Sequence, residues 1–175
     1  KHGHKEVCEL MLEKGLEVDE ADEGGFRALM FASEGGYKRL CEFLIEKGAE
    51  IEAASKEGVR ALMLAAGEGY KEVCELLIEK GAEIEASNKD GENSLMIAAK
   101  HGHKEVCEFL IEMGAELELL NKDGENSLML AKKNEHKEVC ELLIEMGAEV
   151  DNREGSWGSG VALISGGYEG NCGLL

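Results

Sequence analysis

The stretch "HKEVCEFLIEMGAE" at residues 103–116 decides the fold, because versions of it return along the chain at a fixed interval. "YKRLCEFLIEKGAE" begins at residue 37, "YKEVCELLIEKGAE" at residue 70 and "HKEVCELLIEMGAE" at residue 136, so that with the copy at residue 103 the four are spaced 33 residues apart. Self-similarity at one period of 20–50 residues is the signature of an array of stacked structural repeats. The sequence therefore predicts a repeat protein and not one globular core.

Each full unit predicts a turn, a first helix, a second turn, a second helix and an extended arm. In residues 87–119, an Asp-Gly pair at 90–91 marks the opening turn, because glycine adopts the positive φ that such turns need. "SLMIAAKHG" then predicts a short, alanine-rich helix that is ended by Gly102. "HKEVCEFLIEMG" predicts a second helix, with Val106, Leu110 and Ile111 on its apolar face and Gly114 after its end.

These features resemble the ankyrin repeat. The matching residues are the Asp-Gly turn, "SLMIAA", the Gly-His at 102–103, "EVCEFLIE" and the "GAE" at 114–116. The resemblance covers residues 1 to about 152. It implies an all-α ankyrin-repeat solenoid, in which each repeat is a helix-turn-helix followed by a short hairpin loop.

The repeat period also predicts where the units begin and end, and we number the full repeats 1 to 4. The predicted units are a half repeat at 1–20, repeat 1 at 21–53, repeat 2 at 54–86, repeat 3 at 87–119, repeat 4 at 120–152, and a degenerate terminal repeat or frayed tail at 153–175. Because residue 1 falls in the middle of a repeat and neither end has a polar capping unit, we expect a section of a longer chain.

The first helices depart from the family pattern, which usually has Thr-Pro-Leu-His at their start. Here the tetrad is "RALM" in repeats 1 and 2 and "NSLM" in repeats 3 and 4, so a methionine takes the histidine place and is expected to pack in the core. Asn93 and Asn126 are good helix caps, whereas Arg27 and Arg60 are not. We therefore predict a less regular helix start in repeats 1 and 2.

The His-x-His-x-x-x-Cys pattern at 101–107 raises the question of a metal site or a Cys/His catalytic pair. A structural zinc site needs four ligands, but each repeat supplies one cysteine, and stacked repeats hold these about 10 Å apart. Tyr37 and Tyr70 replace His103 in two repeats, which a ligand position would not tolerate. A cysteine buried between repeats is also inert. We expect no metal, no cofactor and no enzyme activity.

The net charge of −18 bears on partners. Such a field repels nucleic acid and anionic membrane surfaces, and no apolar run is long enough for a transmembrane helix. Glutamates on the stacked second helices predict an acidic outer stripe, which is either a solvated face or a docking surface for a basic segment. Reduced cysteines favour a cytoplasmic or nuclear location.

The resemblance implies a function in binding other proteins, through the hairpin tips and the first helices that line a concave groove. Positions that vary between repeats on this predicted surface are the candidate partner-binding residues. They are Glu23, Phe26, Glu34, Lys56, Val59, Glu68, Lys89, Glu92, Lys100, His101, Lys122, Glu125 and Lys133.

Phe26 and Val59 place apolar side chains where repeats 3 and 4 have glutamate, and exposed apolar groups make plausible anchors. The lysines of repeats 3 and 4 predict local positive charge in the second half of the groove. Two alternatives remain open: an architectural spacer inside a larger assembly, and a targeting module for an enzyme domain outside this chain.

Overall fold

The computed structural model describes residues 17–149, where pairs of short antiparallel helices are joined by turns. First helices of seven or eight residues alternate with second helices of nine. The helices of the described part are α1 Ala28–Glu34, α2 Lys38–Glu46, α3 Ala61–Gly67, α4 Lys71–Glu79, α5 Ser94–His101, α6 Lys104–Glu112, α7 Ser127–Lys133 and α8 Lys137–Glu145. The predictions for residues 1–16 and 150–175, including most of the half repeat and the whole terminal unit, lie outside this range.

The helices form two layers. Each first helix packs on the second helix of its own repeat and on the first helices before and after it. The second helices contact one another in the same order and make the other layer. This stacking is that of a helical solenoid, in which each unit contacts only its neighbours.

The core is a seam between the layers that runs through all four helix pairs. Alanines such as Ala65 and Ala98 let the first helices approach closely, and leucines such as Leu77 and Leu110 fill the space behind them. The predicted packing of the methionines is confirmed in repeats 1 to 3, where Met30, Met63 and Met96 are 1–2% exposed. Met129 of repeat 4 is only partly buried.

The hairpin tips are tied to each other along the array. Asn88 Oδ1 accepts hydrogen bonds from the backbone N–H groups of Asp90 and Glu92, which closes the turn of repeat 3. Lys89 N–H donates to the Glu57 carbonyl at 2.8 Å, and so joins this tip to the tip before it. Gly58 has φ +77°, and a Cβ there would lie 3.1 Å from Lys89 N, so the close approach requires glycine.

The helix starts correct one prediction. All four first helices begin at equivalent residues, so the less regular start predicted for repeats 1 and 2 is wrong. Asn93 and Asn126 do cap their helices, accepting from the N–H three residues later at 2.9 Å, whereas Arg27 and Arg60 make no such bond. Arg60 holds the same backbone position differently: its Nη1 donates to Ser87 O in the next repeat and its Nε lies 3.2 Å from Glu52.

A candidate protein-binding groove

Apolar side chains are exposed on the first helices. Phe31 of α1 is 49% exposed, and its ring centroid lies 5.7 Å from that of Phe26. Leu64 and Ile97 occupy the equivalent positions on α3 and α5 and are partly exposed, as is Val59 before α3. We call these five residues the apolar strip.

A cavity of about 200 Å³ lies on this surface between repeats 2 and 3. Val59, Leu64 and Ile97 supply its apolar walls. Gly67, the last residue of α3, leaves it open, because a Cβ at Gly67 would lie 3.0 Å from Ile97 Cγ2 and project into the same space. The other lining residues are Met63, Glu68, Glu92, Lys100 and His101.

The cavity thus brings together predicted site residues from two repeats that are distant in sequence. Val59 and Glu68 come from repeat 2, and Glu92, Lys100 and His101 from repeat 3. The His101 ring is held in place, since its Nδ1 lies 2.9 Å from the Ile97 carbonyl oxygen. The recess is therefore formed by the C-terminal ends of α3 and α5 together with Val59 and Glu92, which precede these helices.

The remaining predicted residues lie beside or beyond the cavity. Glu34 is exposed at the end of α1, and counting 33 residues per repeat makes it the equivalent of Gly67 and Lys100. Lys133 is exposed at the end of α7, and so are the hairpin-tip residues Glu23, Lys56, Lys89 and Lys122. The structure places none of these five on the wall of the cavity.

Charge on the groove does not follow the prediction. Lys100 Nζ donates to Glu92 at 2.9 Å, Lys133 Nζ donates to Glu125 at 2.7 Å, and Lys89 lies 3.6 Å from Glu57. Lys100 and Lys133 are bonded to glutamates of the same surface, so the local positive charge predicted for repeats 3 and 4 is wrong for these two residues, whereas the contact of Lys89 is longer and exposed to solvent. The bond from Lys133 lowers the pKa of Glu125, and Glu125 in turn raises the pKa of Lys133.

Repeats 1 and 2 lack the ion pair that Glu92 forms with Lys100 and that Glu125 forms with Lys133, because their residues at these positions differ. Phe26 and Val59 stand where Glu92 and Glu125 stand, and Glu34 and Gly67 stand where Lys100 and Lys133 stand. Both members of the pair are absent in each case. Glu34 and Glu68 are left exposed at the ends of α1 and α3, beside the apolar strip.

Sequence reasoning missed Phe31, Leu64 and Ile97. Every repeat has an apolar residue at this position, so the period assigns it to the buried framework. The structure shows a gradient instead: Phe31 is 49% exposed, whereas Leu130 at the same position of repeat 4 is 2% exposed. The sequence did contain one signal for the cavity: Gly67 stands at a helix end where the other repeats have the charged residues Glu34, Lys100 and Lys133.

A second missed feature is a row of carboxylates that joins consecutive repeats. Glu85 Oε1 accepts from Glu116 N–H at 2.8 Å in the next repeat, and its Oε2 accepts from the Asn93 side chain at 2.8 Å. Glu118 makes the equivalent bonds to Glu149 and Asn126. These exposed acids hold the array together, so the acidic character of the chain is partly structural.

The cysteines confirm the expectation of burial. Cys41, Cys74 and Cys107 are fully buried and Cys140 is nearly so, and none of the four is in a disulfide. Burial away from water raises the pKa of the Cys107 thiol to about 12, which leaves almost no thiolate at neutral pH. His103 is occupied elsewhere, with Nε2 2.7 Å from the Gly67 carbonyl oxygen of the preceding repeat.

Residues 17–149 offer neither a metal site nor a helix that could span a membrane. No group of three or more His, Cys, Asp or Glu side chains there is arranged to hold a metal ion. Every helix in that range is too short or too polar to cross a membrane.

Comparison with known proteins bears directly on the family. A family profile described as ankyrin repeats (3 copies) matches residues 1–55 and 62–154 of the chain. The match extends over most of the 175 residues and, apart from Ala61 at the start of α3, includes the helices described above. No curated protein sequence matches the chain.

Proposed function

Because the chain belongs to the ankyrin repeat family, whose members are generally protein–protein interaction modules, we propose that it is a scaffold that binds a protein partner. The binding surface in this proposal is the concave groove formed by the first helices and the hairpin tips. The chain itself performs no catalysis.

One observation carries the proposal: apolar side chains of three consecutive repeats are exposed on the first helices. Phe31 of repeat 1 is 49% exposed, and the cavity lined by Leu64 and Ile97 lies on the next two repeats. Burial of these apolar side chains under a partner is favourable, because it removes apolar area from water. Large apolar residues in such a setting are typical interaction hot spots.

The size of the cavity favours a protein ligand over a small molecule. Sites for small molecules enclose roughly 300–1,000 Å³ and bury most of the ligand. A recess of about 200 Å³ on an open surface is better suited to a single side chain of a larger partner.

The nature and location of the partner follow from charge and thiol chemistry. A net charge of −18 favours a partner with a basic segment over nucleic acid or an anionic membrane. Buried cysteines without disulfides support a reducing compartment, which is the cytoplasm or the nucleus.

The test is capture of partners by the intact chain and by the double variant Phe26→Glu/Val59→Glu. Glutamate is the residue that repeats 3 and 4 have at these positions, so the fold is expected to accept it. We expect the variant to lose at least tenfold in affinity for partners of the wild type, because it places charge in the apolar strip. Quantitative mass spectrometry of the captured proteins measures the loss.

The matched control is Met113→Glu/Met146→Glu, which adds the same two charges at exposed methionines just after the second helices. We expect it to capture the same partners as the wild type. Equal capture by all three proteins would contradict binding through the groove. It would favour a spacer, or a targeting role that uses another surface.

A further inference from the structure

We infer that the cavity over Gly67 takes one large apolar side chain of a partner segment, and that Glu68 and Glu34 bind Lys or Arg residues adjacent to it in the same segment. This inference rests on the proposed function and adds the chemistry and position of the ligand. The anchoring half of the groove is then repeats 1 and 2 together with the first helix of repeat 3.

The apolar part of the inference comes from the shape and walls of the cavity. Three aliphatic side chains, Val59, Leu64 and Ile97, face a space that opens only because Gly67 has no side chain. Water in such a recess has few polar partners, so its replacement by an apolar group is favourable. A leucine, isoleucine or phenylalanine side chain suits these walls.

The expectation of Lys or Arg in the partner segment comes from glutamates near the cavity that have no cationic partner within residues 17–149. Around the cavity, Glu92 is bonded to Lys100 at 2.9 Å, which cancels one charge of each sign. Glu68 makes no ion pair within residues 17–149, and neither does Glu34 on the preceding first helix, α1. An exposed carboxylate next to an apolar surface gains more from a cationic partner once that partner excludes water.

The same comparison explains why repeats 3 and 4 are not the anchor. Glu125 and Lys133 are bonded to each other at 2.7 Å, so a partner has to break that pair to reach either charge. The apolar position of repeat 4, Leu130, is 2% exposed and offers no surface. A basic and apolar ligand therefore gains contacts only toward the N-terminal side of the described array.

The experiment starts from a phage-displayed library of random 12-residue peptides selected on the full chain. We expect enrichment of peptides in which one Leu, Ile or Phe has Lys or Arg within a few residues. Synthetic peptides from the selection are then measured by fluorescence anisotropy, which gives a dissociation constant for each variant.

Two kinds of variant test the two halves of the inference. Glu34→Lys/Glu68→Lys should weaken the selected peptides at least tenfold, and raising the salt concentration should reduce this difference. The control Glu79→Lys/Glu112→Lys makes the same change in net charge on exposed residues of second helices, and should weaken them less than twofold. Gly67→Met fills the cavity without changing the charge and should also weaken binding at least tenfold.

The outcomes separate the inference from the proposed function. Selection of acidic peptides, failure to enrich any peptide, or equal weakening by both pairs of charge reversals would overturn the inference. If Phe26→Glu/Val59→Glu still removes partners in the capture experiment, the scaffold function stands without it. If that double variant has no effect either, both fail.

Discussion

At the scale of single residues, the contact between aromatic rings and glycines shows how little freedom the repeat interface has. The His136 ring lies against Gly102 of the preceding repeat, and its Nε2 is 3.0 Å from the Lys100 carbonyl oxygen. A Cβ at Gly102 would come within 2.5 Å of the ring, and Gly102 also has φ +82°. The ring is held by its hydrogen bond, so it cannot move aside without loss.

Gly102→Ala is therefore expected to destabilise the array by about 2–4 kcal/mol, from left-handed strain together with overpacking. The matched control is Gly114→Ala, since Gly114 has φ +97° but a Cβ there would meet no other atom within 4 Å. This control should cost about 1 kcal/mol, the strain alone. Urea unfolding followed by circular dichroism measures both losses, and equal losses would show that the ring contact contributes nothing.

The residue scale is also where sequence reasoning reached its limit. It identified Lys100 and Glu92 as groove residues, but their pairing depends on which side chains project to the same place at the end of a helix. In the sequence, a charged residue at a variable position looks the same whether or not a neighbouring side chain of opposite charge is bonded to it. Gly67 is a single substitution in sequence, yet it opens a cavity because Ile97 of the next repeat faces it.

At the scale of the helices, two chemical solutions give one geometry. In repeats 3 and 4 an asparagine caps the first helix and also donates to a glutamate eight residues earlier. In repeat 2, Arg60 lies 3.2 Å from the equivalent Glu52 and donates to the backbone of the next repeat. The first helices begin at equivalent positions because the residue before each helix, asparagine or arginine, is held by contacts to neighbouring residues.

The asparagine solution predicts the behaviour of Asn93→Asp. Aspartate is as good a cap, but it cannot donate to Glu85 and places a second carboxylate beside it. Because Asn93 is 2% exposed, we expect a loss of about 1–3 kcal/mol in the free energy of unfolding. Thermal or urea unfolding measures this loss.

A compensating change provides the control. Adding Glu85→Gln to Asn93→Asp restores a donor–acceptor pair and should recover most of the stability. If the single variant is as stable as the wild type, the bond between Asn93 and Glu85 does not hold the interface together.

The prediction of the helices from sequence was successful because their determinants are local and repeated. The apolar spacing of "KEVCEFLIE" and a glycine shortly after it recur in every repeat, and α6 begins at Lys104, one residue after the start predicted at His103. The prediction of less regular helix starts in repeats 1 and 2 was wrong because it considered only whether Arg27 and Arg60 can cap a helix locally. Their partners lie elsewhere: Arg27 donates to Asp19 O and to Ala54 O, 27 residues later.

At the scale of the whole array, repeats of nearly one sequence present two different surfaces. Repeats 3 and 4 neutralise their own charges, and Leu130 at the fourth step is buried. Repeats 1 and 2 expose apolar side chains and, within residues 17–149, the unpaired acids Glu34 and Glu68. Since the framework is the same, a partner can distinguish the two halves only by these few side chains.

The repeat architecture was predictable from the period, because each unit contacts only its neighbours and the same contacts recur. The groove was predictable only in outline. Its apolar and charged parts depend on pairs of residues in adjacent repeats, such as Gly67 with Ile97, and on ion pairs within one repeat. Which residues contact each other in this way depends on their positions in three dimensions, which the 33-residue period alone does not give.

The most direct test of binding through the first helices is methyl nuclear magnetic resonance of the isotope-labelled chain with a peptide from the selection. The account predicts shifts in the methyl signals of Val59, Leu64 and Ile97, while Ile45, Ile78 and Ile144 of the second helices stay unchanged. The latter three pack against the core and serve as internal controls. Shifts confined to the second-helix isoleucines would contradict the groove as the binding surface.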